Sequence, residues 1–196
     1  MIFTQTVRRS GVTALLAVAV LGPSGHAGAV RQSIQPLSYN WRIEGDPARP
    51  EEPVAGAGWY SLITPAGQLT RSGKGVALGS RKTLGRNTAF RRIDCAECEY
   101  EGPHIKINVS VGIYVRDQGY LVFKRDDDRL RWQADSNWTP LSSGPDVYQW
   151  IFRNADMRDQ RQRAIKTGEE LRLFNIVKKQ YLVYDPSDRK LRWKPS

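Results

Sequence analysis

A stretch of this chain occurs twice. Tyr120-Leu121-Val122-Phe123 returns as Tyr181-Leu182-Val183-Tyr184, and Leu130-Arg131-Trp132 returns as Leu191-Arg192-Trp193, each sixty-one positions on. Between the paired segments lie polar runs of equal length, Lys124 to Arg129 and Asp185 to Lys190, rich in turn formers. An apolar strand, a polar turn and a second apolar strand form the pattern of a β-hairpin. A repeat at fixed separation points to a fold built from similar units that share one core.

A fainter third copy lies upstream. Gln68-Leu69 is followed nine positions later by Leu78, as Leu121 is followed by Leu130 and Leu182 by Leu191. Each copy is preceded by a short apolar strand, namely Trp59 to Ile63, Ile113 to Val115 and Leu171 to Ile176. The intervening Thr64-Pro65-Ala66-Gly67, Asp117-Gln118-Gly119 and Val177-Lys178-Lys179 have the residues of tight turns. Alternating apolar residues in strands face the inside. Leu69, Leu121 and Leu182 are therefore expected at equivalent core positions.

Two further apolar runs, Thr88 to Ile93 and Tyr148 to Phe152, supply a fourth strand for two of the copies. For the last copy, Tyr39-Asn40-Trp41-Arg42-Ile43 reads like Tyr148-Gln149-Trp150-Ile151-Phe152 and is expected to pair with the C-terminal unit. The prediction is an all-β chain of twelve strands in three four-stranded units, closed by the N-terminal strand. In strand order and spacing, Gln35 to Ser196 resembles the β-trefoil superfamily, which includes ricin-B-type lectins, fascin-like domains and trefoil subunits of bacterial toxins. The Gln-x-Trp signature of the ricin-B lectins is absent, since Gln149 and Trp150 are adjacent. The resemblance thus implies a fold and a binding role without transferring any binding residue. Outside the strands, the polar, Arg-rich Ala155 to Ile165 is read as one or two helical turns, and Asp46 to Pro53 as a Pro-rich loop.

Residues 1–29 read as a signal peptide. Arg8 and Arg9 form the positive region, Gly11 to Gly22 the apolar run, and Ala27-Gly28-Ala29 a small-x-small cleavage site. Residues 30–196 are then a single β-trefoil domain, secreted or periplasmic, with no transmembrane anchor, because the apolar run is short of the ~20 residues that span a bilayer. In such a compartment Cys95 and Cys98, the two cysteines of the chain, can close a local disulfide. The surrounding Asp94, Glu97, Glu99 and Glu101 oppose a reactive thiolate.

Catalytic constellations are not evident. With residues 1–29 removed, His104 is the single histidine, read as a solvated loop residue, and no Gly-x-Ser-x-Gly elbow, phosphate loop or dinucleotide fingerprint is present. Asp126-Asp127-Asp128, consecutive in a hairpin turn, do not converge as cation ligands should. The expectation is a non-enzyme with no cofactor and no metal site.

What remains is a basic surface with aromatics. The formal net charge is +10, or about +8 once Arg8 and Arg9 are removed. This favours a glycan or an anionic cell-surface ligand; export argues against nucleic acid. Sugars are held by aromatic stacking beside amides and carboxylates, so Asn137 and Trp138 in the polar run Ala134 to Pro145, with Asp117 and Gln118 in their turn, are the candidate ligand-binding residues. The reading is a monomeric, lectin-like binding module. The alternative is a protein-binding trefoil, acting as an inhibitor or toxin delivery subunit.

Overall fold

The computed structural model describes residues 40–56, 58–73, 75–92, 104–134, 146–147, 149–159 and 161–196. They form an all-β protein whose paired strands are all antiparallel. The first strands are β1 (Trp41–Glu44), β2 (Ser61–Thr64), β3 (Gly67–Ser72) and β4 (Gly75–Gly79), followed by a one-turn helix α1 (Arg81–Leu84). Next come β5 (Thr88–Arg92), β6 (Ser110–Val115), β7 (Gly119–Lys124), β8 (Arg129–Gln133) and the two-residue β9 (Asp146–Val147). The chain continues through β10 (Trp150–Asn154), β11 (Glu170–Asn175), β12 (Gln180–Asp185) and β13 (Lys190–Pro195). The short β9 pairs with β7 and was not anticipated, nor was α1.

Pairing follows chain order within three runs of four strands, β1 to β4, β5 to β8 and β10 to β13. Three links join the runs. Trp41 in β1 pairs with Leu171 in β11, Trp150 in β10 pairs with Val111 in β6, and Tyr60, just before β2, bridges Thr88 in β5. The N-terminal strand is thus paired on one side with its own run and on the other with the last.

A second set of contacts ties the same runs together at main-chain level. Val54 N donates to the Ile165 carbonyl (2.8 Å), Ile165 N to the Ile105 carbonyl (2.9 Å), and Ile105 N to the Val54 carbonyl (2.8 Å). The three side chains are buried in the main core cluster. The Pro-rich segment after β1 is held there too, through bridges from Pro53 to Lys166 and from Ala55 to His104.

Leu69, Leu121 and Leu182 all lie buried in this core, each on the first strand of a hairpin. Two of them are locked by tryptophan. The Trp41 indole N–H donates to the Leu182 carbonyl (2.7 Å), and the Trp150 indole N–H donates to the Leu121 carbonyl (3.0 Å). Both indoles are buried, so the ring supplies apolar area while its one polar atom is satisfied. At the corresponding place in β5 stands Thr88, as the Trp41–Leu171, Trp150–Val111 and Thr88–Tyr60 pairs show.

The hairpin register corrects one expectation. Leu69 pairs with Leu78, but Leu121 pairs with Trp132 and Leu182 with Trp193, while Leu130 and Leu191 face Phe123 and Tyr184. The common nine-residue spacing is therefore a coincidence of sequence. Two residues separate Ser72 from its partner Gly75, whereas four separate Lys124 from Arg129 and Asp185 from Lys190. Turn length fixes hairpin register, so the shorter turn moves Leu78 into line with the tryptophans.

A second correction concerns Ala155 to Ile165, where no helix occurs among the described residues. The Asn154 Oδ1 accepts from Asp156 N (3.1 Å) and the Asp156 Oδ1 from Arg158 N (2.9 Å). Such short side chains offer the backbone a turn in place of a helix. Ala164 then enters a bridge with Lys106.

The two indole bonds predict that Trp41→Phe and Trp150→Phe will each destabilise the protein by about 1–3 kcal/mol, because a buried carbonyl loses its donor. Urea denaturation with an unchanged slope would register this as a lower midpoint.

Candidate functional site

Of the residues singled out from sequence, Asn137, Trp138, Cys95, Cys98 and the segment 1–29 lie outside the described residues. Asp117 and Gln118 occupy the turn between β6 and β7. Gln118 is a strut there: its N–H donates to the Val115 carbonyl (3.0 Å) and its side-chain amide to Thr70 Oγ1 (3.0 Å), tying the turn to β3. Asp117 sits at φ +62°, in the left-handed region that Asp tolerates better than most residues, and is exposed. The following Gly119 is required by space, since a Cβ there would lie 2.0 Å from the Gln133 carbonyl oxygen.

Beside this turn the register assembles an aromatic row on the face turned away from the core. The Tyr60–Thr88 bridge sets Trp59 next to Ala89, Ala89 pairs with Tyr114, and Tyr114 pairs with Tyr120. The Trp59 and Tyr114 rings lie 6.1 Å apart, and those of Tyr114 and Tyr120 5.0 Å apart, both tilted. Ala89 is small enough for Trp59 to reach across it. Burial decreases along the row: Tyr120 is inside, Tyr114 is partly covered, and Trp59 is 37% exposed. The Arg116 guanidinium lies 4.2 Å from the centre of the Trp59 ring. Arg116 is held in place by its own N–H, which donates to the Asn87 carbonyl (2.8 Å).

From sequence, Trp59 is simply the first residue of a short apolar strand, Trp59 to Ile63. The available signal was parity: in Trp59-Tyr60-Ser61-Leu62, the buried Leu62 places Trp59 on the opposite face. The arrangement offers a partly exposed indole beside a guanidinium, with the Asp117 carboxylate next in sequence to Arg116. It can stack on the apolar face of a ring and bond the polar groups around that ring's edge.

A second feature is a cleft of about 930 Å³ between the segment after β1 and the approach to β11. Its walls carry Glu44, Asp46, Glu51 and Glu169 together with Arg81, Arg163 and Lys166. Arg81 pairs with Glu44 and Arg163 with Glu169, while Asp46 pairs with Arg86 (3.8 Å). With three of its four carboxylates paired to arginines, this cleft keeps little uncompensated negative charge with which to select a ligand.

Two other sequence expectations can be placed. His104 is not a solvated loop residue but lies partly buried on the bridge with Ala55. Asp126, Asp127 and Asp128 do form the β7–β8 turn, and the carboxylates diverge, Asp127 to Arg131 and Asp128 to Lys178. Among the described residues, no three His, Cys, Asp or Glu side chains are grouped so as to hold a metal ion. No helix among them is long and apolar enough to cross a membrane.

Burial pushes the Glu169 carboxyl up, but the Arg163 guanidinium, the Lys166 backbone N–H and the charges of both residues outweigh it and hold the group below its ordinary value of 4.5. A carboxyl lowered in the folded state stabilises fully above the ordinary value, and this is lost as pH falls through the folded value. Below about pH 4.5 the melting temperature of the protein should therefore fall more steeply than that of Glu169→Gln. Thermal melts across acid pH would check this; parallel curves would contradict it.

No family model matches the chain, and neither a curated protein nor a solved structure does.

Proposed function

We propose that this chain is a β-trefoil, three four-stranded units closed by β1, acting after export as a non-catalytic module that binds carbohydrate. Support for the trefoil comes from the pairing order. β1, β2, β5, β6, β10 and β11 are linked successively, with β11 returning to β1, and the Val54–Ile105–Ile165 bonds join the three units at equivalent points. Support for an exported domain at residues 30–196 comes from the sequence of residues 1–29.

The observation that carries the carbohydrate reading is the surface indole of Trp59, next to Tyr114 and flanked by Arg116, whose sequence neighbour Asp117 is exposed in the turn. A tryptophan left partly in water forgoes the burial that would stabilise the fold, and the apolar C–H face of a sugar recovers that area on binding. Arg116 supplies donors to hydroxyl oxygens, and the Asp117 carboxylate accepts from hydroxyls. Trp138 and Asn137, in the polar run Ala134 to Pro145, are assigned to the same role.

A glycan array probed with the whole protein tests the reading. Binding to a defined saccharide class is expected, and Trp59→Ala should weaken it about tenfold or more, roughly 1.4 kcal/mol, with little change in melting temperature. An array without binding, alongside capture of a specific protein through the same face, would overturn it in favour of a protein-binding trefoil.

A further inference from the structure

Resting on the carbohydrate reading, we infer that the Trp59 face is a subsite for an acidic saccharide, with Arg116 receiving the anionic group of the sugar stacked on the aromatic row. The first observation is that the guanidinium is placed at the ring. At 4.2 Å from the Trp59 centroid it is attracted by the π face, and its backbone bond to Asn87 keeps the turn against β5. An arginine resting on an aromatic ring gives up little rotamer freedom when a ligand arrives, and its N–H donors lie in a planar fork that fits a carboxylate. A neutral sugar would use only part of that fork.

The second observation is a further arginine on the same face. Ala89 and Arg91 are two positions apart on β5 and so project to one side of the sheet. Arg91 is exposed and pairs with Gly112, which brings no side chain to the space across from it. The row of Trp59, Ala89 and Tyr114 thus has an arginine at either end, Arg116 beyond Tyr114 in one strand direction and Arg91 beyond Ala89 in the other. The one acidic group adjacent to Arg116 in sequence is Asp117, exposed in the turn. Among the described residues, two guanidiniums thus stand at the ends of the stacking surface, where each can attract an anionic group.

The site therefore separates two tasks: the aromatic row recognises a sugar ring, and the arginines recognise its charge. These tasks respond differently to mutation. Loss of Trp59 should weaken every saccharide bound there to a similar degree, whereas loss of the Arg116 charge should weaken acidic saccharides far more than neutral ones.

Calorimetric titration with an oligogalacturonate of fixed length, with its methyl ester, and with dextran sulfate tests the assignment. The ester keeps the ring and removes the charge. The acid should bind at least tenfold more tightly than the ester. Arg116→Gln should remove that preference, weakening the acid far more than the ester, and Arg116→Lys should restore part of it. If dextran sulfate competes with the acid and depends on Arg116 in the same way, the subsite accepts anionic groups of both kinds, as inferred. Equal affinity for acid and ester, or a preference that survives Arg116→Gln, would overturn the inference while leaving carbohydrate binding intact. Binding of neither saccharide would remove the carbohydrate reading along with it. Circular dichroism and melting temperature of each variant confirm folding; if Arg116→Gln alters these without altering the acid preference, Arg116 is only a cap on Trp59 and the inference fails.

Discussion

Three main-chain hydrogen bonds, from Val54 to Ile165, from Ile165 to Ile105 and from Ile105 to Val54, form a closed cycle among segments distant in sequence. Each residue gives one bond and takes one within the cycle, and each side chain is buried in the same core. No segment can satisfy its backbone there without the other two, and an unpaired buried amide or carbonyl costs about 1–3 kcal/mol. The rest of the architecture depends on this mutual requirement. The strand links from β1 to β11, from β10 to β6 and from Tyr60 to Thr88 carry the same dependence outward, and β1 is held between the beginning and the end of the fold.

The three runs are alike inside and unlike outside. Inward, Leu69, Leu121 and Leu182 hold corresponding places, and Trp41 and Trp150 each reach a leucine carbonyl, with Thr88 as the smaller substitute in the remaining run. Outward, one face carries Trp59, Tyr114 and Tyr120 with Arg116. Another covers Phe174 and Tyr181 with Arg153, whose guanidinium lies 4.0 Å from the Phe174 ring centre. At the second face the aromatics are buried, and at the first the end of the row is open. Common core packing with divergent surfaces fits the binding role proposed above: one face can differ without disturbing the packing that the runs share. The numerous surface ion pairs, such as Asp127–Arg131 and Asp188–Arg192, tie down turns but add little to stability, because exposed pairs are worth about 0–1 kcal/mol.

The all-β class and most strand positions were legible because strand alternation and hairpin turns are local properties of sequence. Tyr120 to Phe123 and Tyr181 to Tyr184 needed only to be read against each other. What the sequence concealed was relational. The pairing of Leu78 with Leu69 depends on a turn two residues shorter than its counterparts, which a search for equal spacings aligns wrongly. The Asp and Asn side chains around residue 156 bond the backbone in turns, although the run of Arg and Gln around them has good helix formers. The aromatic row was hidden for the same reason, since Trp59, Tyr114 and Tyr120 become neighbours only through two strand registers and a bridge. Asp117 and Gln118 could be placed in a turn because turn chemistry is local; the bond from Gln118 to Thr70 was not legible because it spans forty-eight residues.

The claim on which the rest stands is that the three runs form one cooperative body around the cycle of Val54, Ile105 and Ile165. Native-state hydrogen exchange of these three amides under increasing denaturant tests it most directly. The account predicts that all three exchange only through global unfolding, with one common free energy equal to that of the whole protein. Exchange of any one of them through a smaller, separate opening, with the other two still protected, would contradict it.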